Sequence, residues 1–140
     1  MSIPNILSID PGMMIGWAIF NSGEVVELGQ VHLRDFAKWL ESSDPQPELI
    51  VVEDFRLFKH LALQQSGSRI ETAKCIGIVE SYASRRGINV VLQAANILPI
   101  AEKWTGQKRP SKHEVGHKIC AYLHGEYYLI KNNYKEINFS

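Results

Sequence analysis

The chain has 140 residues, of which 45% are hydrophobic, and its basic and acidic side chains balance at 15 each. This length suits one domain with a single core and is short for two. No apolar run approaches the roughly 18 residues that a membrane-spanning helix needs, and the first residues lack the basic start and apolar segment of a secretion signal. We therefore expect a cytoplasmic protein that does not associate with a membrane. Cys75 and Cys120 are far apart in the chain, so a disulfide framework is not expected.

The balanced charge is unevenly divided along the chain. Residues 1–54 contain nine acidic and two basic side chains, whereas residues 55–140 contain six acidic and thirteen basic ones. An acidic half beside a basic half fits a metal centre next to a surface for a polyanion. Clustering of charges on solvated faces by chance produces the same division, so this feature supports a nucleic-acid partner without deciding it.

The first third of the chain predicts three consecutive antiparallel strands. Short apolar or alternating segments cover residues 5–10, 16–20 and 24–33, and turn residues separate them. The connection at residues 21–23 is a hairpin turn. Asp10 is the last residue of the first strand.

Helices and strands alternate in the rest of the predicted structure. Phe36, Trp39 and Leu40 stand at helical spacing, which indicates a short helix over residues 34–42. The further predicted elements are a buried strand at 49–54, a helix at 70–86, a strand at 88–92, a helix at 97–104 and a terminal helix at 113–130. The polar residues 56–67 fit either a helix or a loop. The order βββαβαβαα predicts an α/β fold with a mixed five-stranded sheet flanked by helices.

Two carboxylates end apolar strands in this arrangement. If the strands of Asp10 and Glu53 pair side by side, both acids lie at the same sheet edge. Close acids repel each other unless a cation neutralises them, and Mg²⁺ prefers oxygen ligands. The alternative is that each acid merely ends a strand in a solvated turn. Asp54 should point to the opposite face, because strand residues alternate.

The blocks around these acids resemble a known family. Ser8-Ile9-Asp10-Pro11-Gly12 with Gly16-Trp17-Ala18, and Val51-Val52-Glu53-Asp54-Phe55, are similar to the two N-terminal blocks of the RuvC-type Holliday-junction resolvases, especially the short phage-encoded ones. The likeness continues in order through three later segments, Ile76-Gly77-Ile78-Val79-Glu80, Ile88–Gln93 and His124-Gly125-Glu126-Tyr127-Tyr128-Leu129.

The resemblance implies an RNase H-like nuclease domain over residues 1–140, usually a homodimer, that cuts branched DNA such as four-way junctions with Mg²⁺ or Mn²⁺. Its location would be the cytosol of a bacterium or of a phage-infected host. Asp10 would match the family's first catalytic aspartate, and Glu53 its glutamate. The terminal helix would supply His117 as a third metal ligand or general base, and Cys120 at a position where the family has an aspartate.

Cys120 departs from the family pattern. A thiol is a soft ligand and Mg²⁺ a hard cation, so this replacement should weaken or abolish part of the metal site. Several interpretations stay open: a weakened catalytic residue in an active nuclease, a nuclease that uses another, softer metal, or a domain that binds junctions without cutting them. A further interpretation makes Cys120 a small residue on the apolar face of the helix.

The same helix contains a competing motif. His113-Glu114-Val115-Gly116-His117 satisfies HExxH, in which two histidines bind Zn²⁺ and the glutamate acts as the general base of a metallopeptidase. The extended form of the motif fails, because Cys120 and Leu123 stand where it needs glycine and histidine. His113, His117, Cys120 and His124 nevertheless share one helix face, so His113 and His124 are additional candidate ligands.

Two polar segments are candidates for contacts with DNA. Both combine basic side chains with amides, hydroxyls or an aromatic residue, a composition that grips the phosphate backbone and positions DNA without reading its sequence. The candidate DNA-binding residues are Arg56, Lys59, Gln64, Gln65, Lys103, Lys108, Arg109 and Lys112.

Overall fold

The computed structural model describes residues 2–54, 66–110 and 113–137, with the backbone alone for 66–69 and 113–115. These residues form five strands and four α-helices. The strands are β1 (Ile6–Asp10), β2 (Met14–Asn21), β3 (Glu24–His32), β4 (Leu49–Glu53) and β5 (Asn89–Gln93). The helices are α1 (Leu33–Ser43), α2 (Ser66–Arg86), α3 (Leu98–Thr105) and α4 (His113–Lys131), and a short 3₁₀ turn, Ala95–Ile97, precedes α3.

The observed order of elements confirms the predicted mixed sheet with flanking helices. Most boundaries differ from the predicted ones by one or two residues. The largest difference is in α2, which begins at Ser66 rather than at residue 70. In the part of the chain that the structure describes, no helix combines the length and the apolar character that a bilayer span requires.

The sheet has the strand order β3-β2-β1-β4-β5. The pairs β1–β2 and β2–β3 are antiparallel, and the pairs β1–β4 and β4–β5 are parallel. The register between β1 and β4 runs from Ile6 opposite Leu49 to Ile9 opposite Val52. The next residues, one on each strand, therefore lie side by side at the carboxyl ends of the two strands.

Alternation along β1 and β4 divides the core between the two faces of the sheet. Leu7, Ile9, Ile50 and Val52 pack against α1 and α2 on one face. Residues of the other parity, such as Ile6 and Val51, pack against α4 on the opposite face. Because the period of a strand is two residues, the acids that end both strands belong to the α4 face.

Two glycines let α4 lie directly on this face. A Cβ atom on Gly16 of β2 would stand 2.0 Å from the backbone oxygen of His117, and one on Gly125 of α4 would stand 2.2 Å from Cε1 of Phe20. No side chain fits at these separations. The first contact holds the N-terminal half of α4 over the strand ends, and the second seats the helix on the buried ring of Phe20.

We predict that Gly16→Ala lowers the free energy of unfolding by about 3 kcal/mol, because backbone must move against backbone to admit the methyl group. Gly125→Ala should also destabilise the protein, but less, because alanine favours a helix. Gly77→Ala is the matched control: a Cβ there meets nothing within 4 Å, so the helix should gain about 0.5–1 kcal/mol. Urea unfolding of the three variants tests these contacts, and equal stability of Gly16→Ala and the parent would contradict the contact with His117.

Candidate active site

Asp10 and Glu53 form a buried acidic pair at the carboxyl ends of β1 and β4. Their side chains lie on the α4 face, and only 5% and 9% of the two residues is exposed. Apolar strand residues precede both acids, so the strands are held in the core up to the last residue. The pair thus sits, buried, at the point where the two paired strands end.

The electrostatics of the pair are those of two acids that cannot both be charged at low cost. Burial raises the pKa of Asp10 well above its usual range, and the charge of Glu53 and a hydrogen bond with it raise that pKa further. Burial is the largest single cause acting on Glu53 and raises its pKa, but the interactions with His124, Asp10 and His117 together outweigh burial, and the net direction is downward. Without a cation, we therefore expect Asp10 to hold a proton and Glu53 to hold the negative charge.

Helix α4 places one histidine against each acid. His117 Nδ1 lies 2.9 Å from Asp10 Oδ2, and His124 Nε2 lies 2.8 Å from Glu53 Oε1. Residues seven apart on a helix lie on the same face about two turns apart. That spacing allows a single helix to reach the ends of two adjacent strands.

Gln93 extends this arrangement into β5. It pairs with Glu53 in the sheet, and its Nε2 lies 2.9 Å from His124 Nδ1 and 3.1 Å from the His124 carbonyl oxygen. The sequence reasoning missed Gln93. The available signal was its position as the last residue of an apolar strand, which is the position that Asp10 and Glu53 also occupy.

Cys120 lies on the same helix face, and the charges of both acids affect the pKa of its thiol. Burial raises the pKa of its half-buried thiol to about 12, and the charges of Asp10 and Glu53 contribute to the increase. The thiolate, not the thiol, is the nucleophile and the metal ligand. At neutral pH Cys120 is therefore a neutral neighbour of the acidic pair.

Asp54 is buried next to the pair, with 2% exposure. Its backbone N–H donates to the Gln93 carbonyl at 2.8 Å, which extends the pairing of β4 and β5 by one residue. Strand alternation consequently assigns Asp54 to the α1 and α2 face, opposite Glu53.

The donor atoms of the acidic pair fit a hard divalent cation. Carboxylate oxygens are the ligands that Mg²⁺ prefers, and a cation would relieve the repulsion that raises the pKa of Asp10. Among the described residues, no group of three or more His, Cys, Asp or Glu side chains is arranged to hold a metal ion. Two carboxylates still suffice for Mg²⁺ when waters and substrate phosphates complete its shell.

The predicted DNA-binding residues are only partly described. Arg56, Lys59, Gln64, Gln65 and Lys112 lie outside the described residues. Lys103 and Lys108 are exposed near the C-terminal end of α3 and beyond it.

Arg109 differs from the two lysines because it binds Glu102. Its backbone N–H donates to Glu102 Oε2 at 2.7 Å, and its Nη2 donates to Oε1 at 3.0 Å. The Glu102 carboxylate raises the pKa of Arg109, with a smaller contribution from the charge of Glu53. These two hydrogen bonds hold the loop after α3 in place at Arg109. The Arg109 side chain lies within electrostatic range of Glu53.

The HExxH motif occupies the first turns of α4. The side chains of His113 and Glu114 lie outside the described residues. His117 belongs both to the HExxH motif and to the ligand set that the RuvC resemblance implies. Its Nδ1 contacts Asp10, a member of the acidic pair.

Comparison with known proteins identifies the fold. Neither a protein-family model nor a curated protein sequence matches the chain. A structure of Thermus thermophilus RuvC in complex with a Holliday junction substrate superposes with a TM-score of 0.63 at 15% identity, over 97% of this chain and 100% of that chain. A second structure, of Thermus thermophilus RuvC, gives a TM-score of 0.59 at 13% identity, over 95% and 98% of the two chains. The protein therefore has the RNase H-like fold of RuvC, which confirms the fold class predicted from the sequence.

We predict that the thiol of Cys120 reacts slowly with iodoacetamide. A pKa of about 12, against about 8.5 for a free cysteine, leaves about 1000-fold less thiolate at pH 8 and slows alkylation in proportion. In EDTA, Glu53→Gln should speed the reaction several-fold, because it removes the negative charge that opposes the thiolate. Mass spectrometry of the modified peptide measures the rate, with urea-unfolded protein as the reactive control. Alkylation as fast in the folded protein as in urea would contradict the environment described for Cys120.

Proposed function

We propose that this protein is a structure-selective DNA endonuclease that hydrolyses phosphodiester bonds in branched DNA, such as four-way junctions, with the help of divalent metal ions. The observation that carries the proposal is the buried pair of Asp10 and Glu53, side by side at the strand ends of an RNase H-like fold. Burial with two histidines as partners is a costly arrangement for acids that serve only to end strands, and it suits acids that share a cation.

In the proposed reaction, Asp10 and Glu53 hold the cation, Mg²⁺ or Mn²⁺. The bound ion would activate a water molecule and stabilise the leaving oxygen of the phosphodiester. His117 is the partly exposed histidine of the site, with 28% of its side chain accessible. His117 would serve as a further ligand of the cation or as the general base of the reaction.

Branched DNA is the proposed substrate because a RuvC of the same fold has been solved with a Holliday junction. Lys103 and Lys108 are free of the ion pair that engages Arg109, and they offer charge for the phosphate backbone. We extend the proposed contacts to Arg56, Lys59, Gln64, Gln65 and Lys112. We also propose that residues 1–140 form one nuclease domain, which acts as a homodimer in the cytosol.

A second candidate function is a junction-binding domain that does not cut. The observation in its favour is Cys120, whose thiol is neutral at neutral pH and adds no negative charge within electrostatic range of the acids. Such a site keeps the fold and the basic surface and loses one oxygen ligand. The two candidates differ in cleavage and agree in DNA binding.

We predict that Asp10→Asn and Glu53→Gln each reduce cleavage of a labelled four-way junction by at least about 100-fold, since each removes one metal-binding carboxylate. Both changes preserve side-chain shape and relieve the repulsion of the pair, so the melting temperature should not fall. Asp35→Asn is the matched control, because Asp35 is an exposed acid of α1 with 61% of its side chain accessible. Gel assays in Mg²⁺ and Mn²⁺ give the rates, and cleavage retained in both site variants would refute the nuclease.

We predict that Cys120→Asp increases junction cleavage in Mg²⁺ about tenfold, because it adds a hard oxygen ligand beside the acids. Cys120→Ser has a similar size and no charge, and it should cut like the parent. In EDTA, the added acid should lower the melting temperature, and Mg²⁺ should restore it. A silent parent with an active Cys120→Asp variant would establish the non-cleaving function, and equal rates for all three proteins would show that position 120 has no part in catalysis.

A further inference from the structure

A hydrogen-bonded chain connects β5 to the acidic pair through a fully buried histidine. Gln93 contacts His124, and His124 contacts Glu53. The His124 side chain has no exposed surface, whereas that of His117, the partner of Asp10, is 28% exposed. The two histidines are therefore not equivalent, and the proposed reaction leaves His124 without a role.

The contacts of Gln93 determine which ring nitrogen of His124 holds a proton. The His124 carbonyl oxygen can only accept a hydrogen bond, so the Gln93 group that faces it at 3.1 Å must be the NH₂ end of the amide. The same NH₂ group lies 2.9 Å from Nδ1. Since NH₂ has only hydrogens to offer, Nδ1 must present its lone pair, and the ring proton belongs to Nε2.

With its proton on Nε2, His124 donates to Glu53 Oε1 across the 2.8 Å contact. A buried donor thereby holds one carboxylate oxygen of Glu53, and a hydrogen bond also links the Glu53 side chain to Asp10. A lysine or arginine at this place would fix the carboxylate as well, but its full charge would compete with a cation. A neutral donor orients the ligand and leaves its negative charge intact.

We propose that His124 and Gln93 are positioning residues that hold Glu53 for metal binding, with Gln93 selecting the tautomer of His124. The inference rests on the proposed function of Glu53 as a metal ligand. Partners of this kind orient metal ligands in many proteins, and their loss lowers metal affinity by about 10–100-fold.

The test uses Mn²⁺ as the probe, with its affinity measured by electron paramagnetic resonance well below each variant's melting temperature. His124→Met fills similar space without a donor, and we expect about a tenfold or greater loss of affinity. Gln93→Met removes only the amide, so the loss should be smaller, about threefold. His124→Gln is the rescue variant: its amide NH₂ can reach the place of Nε2, and its affinity should stay within about threefold of the parent.

A spectroscopic measurement tests the tautomer independently of the metal. In EDTA, long-range ¹H–¹⁵N correlation spectra of histidine-labelled protein should show His124 with its proton on Nε2. Gln93→Met should broaden or shift the Nδ1 resonance, because that nitrogen loses its partner. A core-packing role alone would leave both the tautomer and the difference between His124→Met and His124→Gln unexplained.

The outcomes separate this inference from the proposed function. A parent that binds Mn²⁺ and cuts junctions, together with a His124→Met variant of equal affinity, overturns the positioning role and leaves the nuclease intact. A proton on Nδ1 in the parent also overturns it. Should His124→Met fail to fold, Gln93→Met decides the matter, since unchanged affinity there contradicts the chain. A parent that neither binds Mn²⁺ nor cuts DNA overturns the proposed function and this inference together.

Discussion

The repulsion between two buried carboxylates is the constraint around which this protein is organised. The parallel register of β1 and β4 brings Asp10 and Glu53 side by side, and the surrounding apolar residues prevent water from screening them. The molecule accommodates the pair by raising the pKa of Asp10 and by giving each acid a histidine partner. A divalent cation would relieve the same repulsion. The repulsion between the two acids and their proposed role in metal binding therefore have the same cause, which is their burial side by side.

Helix α4 supplies the histidine partner of each acid, so its position determines the surroundings of the acidic pair. Its position on the sheet depends on two glycines. Gly16 allows contact with the backbone of His117, and Gly125 allows contact with the ring of Phe20; a side chain at either position would prevent the contact. Because the helix lies so close, His117 and His124 both contact the acids at the strand ends. A shift of the helix would move both histidines and the thiol at once, which links the packing of the core to the geometry of the site.

The two sides of the site have different degrees of constraint. Glu53 is anchored through His124 to Gln93 inside the protein, whereas Asp10 meets a histidine that solvent can reach. A fixed acid beside an adjustable one suits a site that must bind an ion and then admit a bulky substrate. Arg109, held by Glu102, keeps positive charge within electrostatic range of Glu53.

The sequence by itself determined the order of the elements, the mixed sheet and the strand-terminal positions of Asp10 and Glu53. These follow from local patterns, because strand alternation, helical spacing and turn residues are encoded over a few neighbouring positions. It also indicated that His117, Cys120 and His124 share one helix face. Only the tertiary structure decided what that face meets. The contact between Gln93 and His124 joins residues 31 apart, and that between His124 and Glu53 joins residues 71 apart. Such pairings arise from how α4 lies across the sheet, which depends on close approach at two glycines and has no local signature.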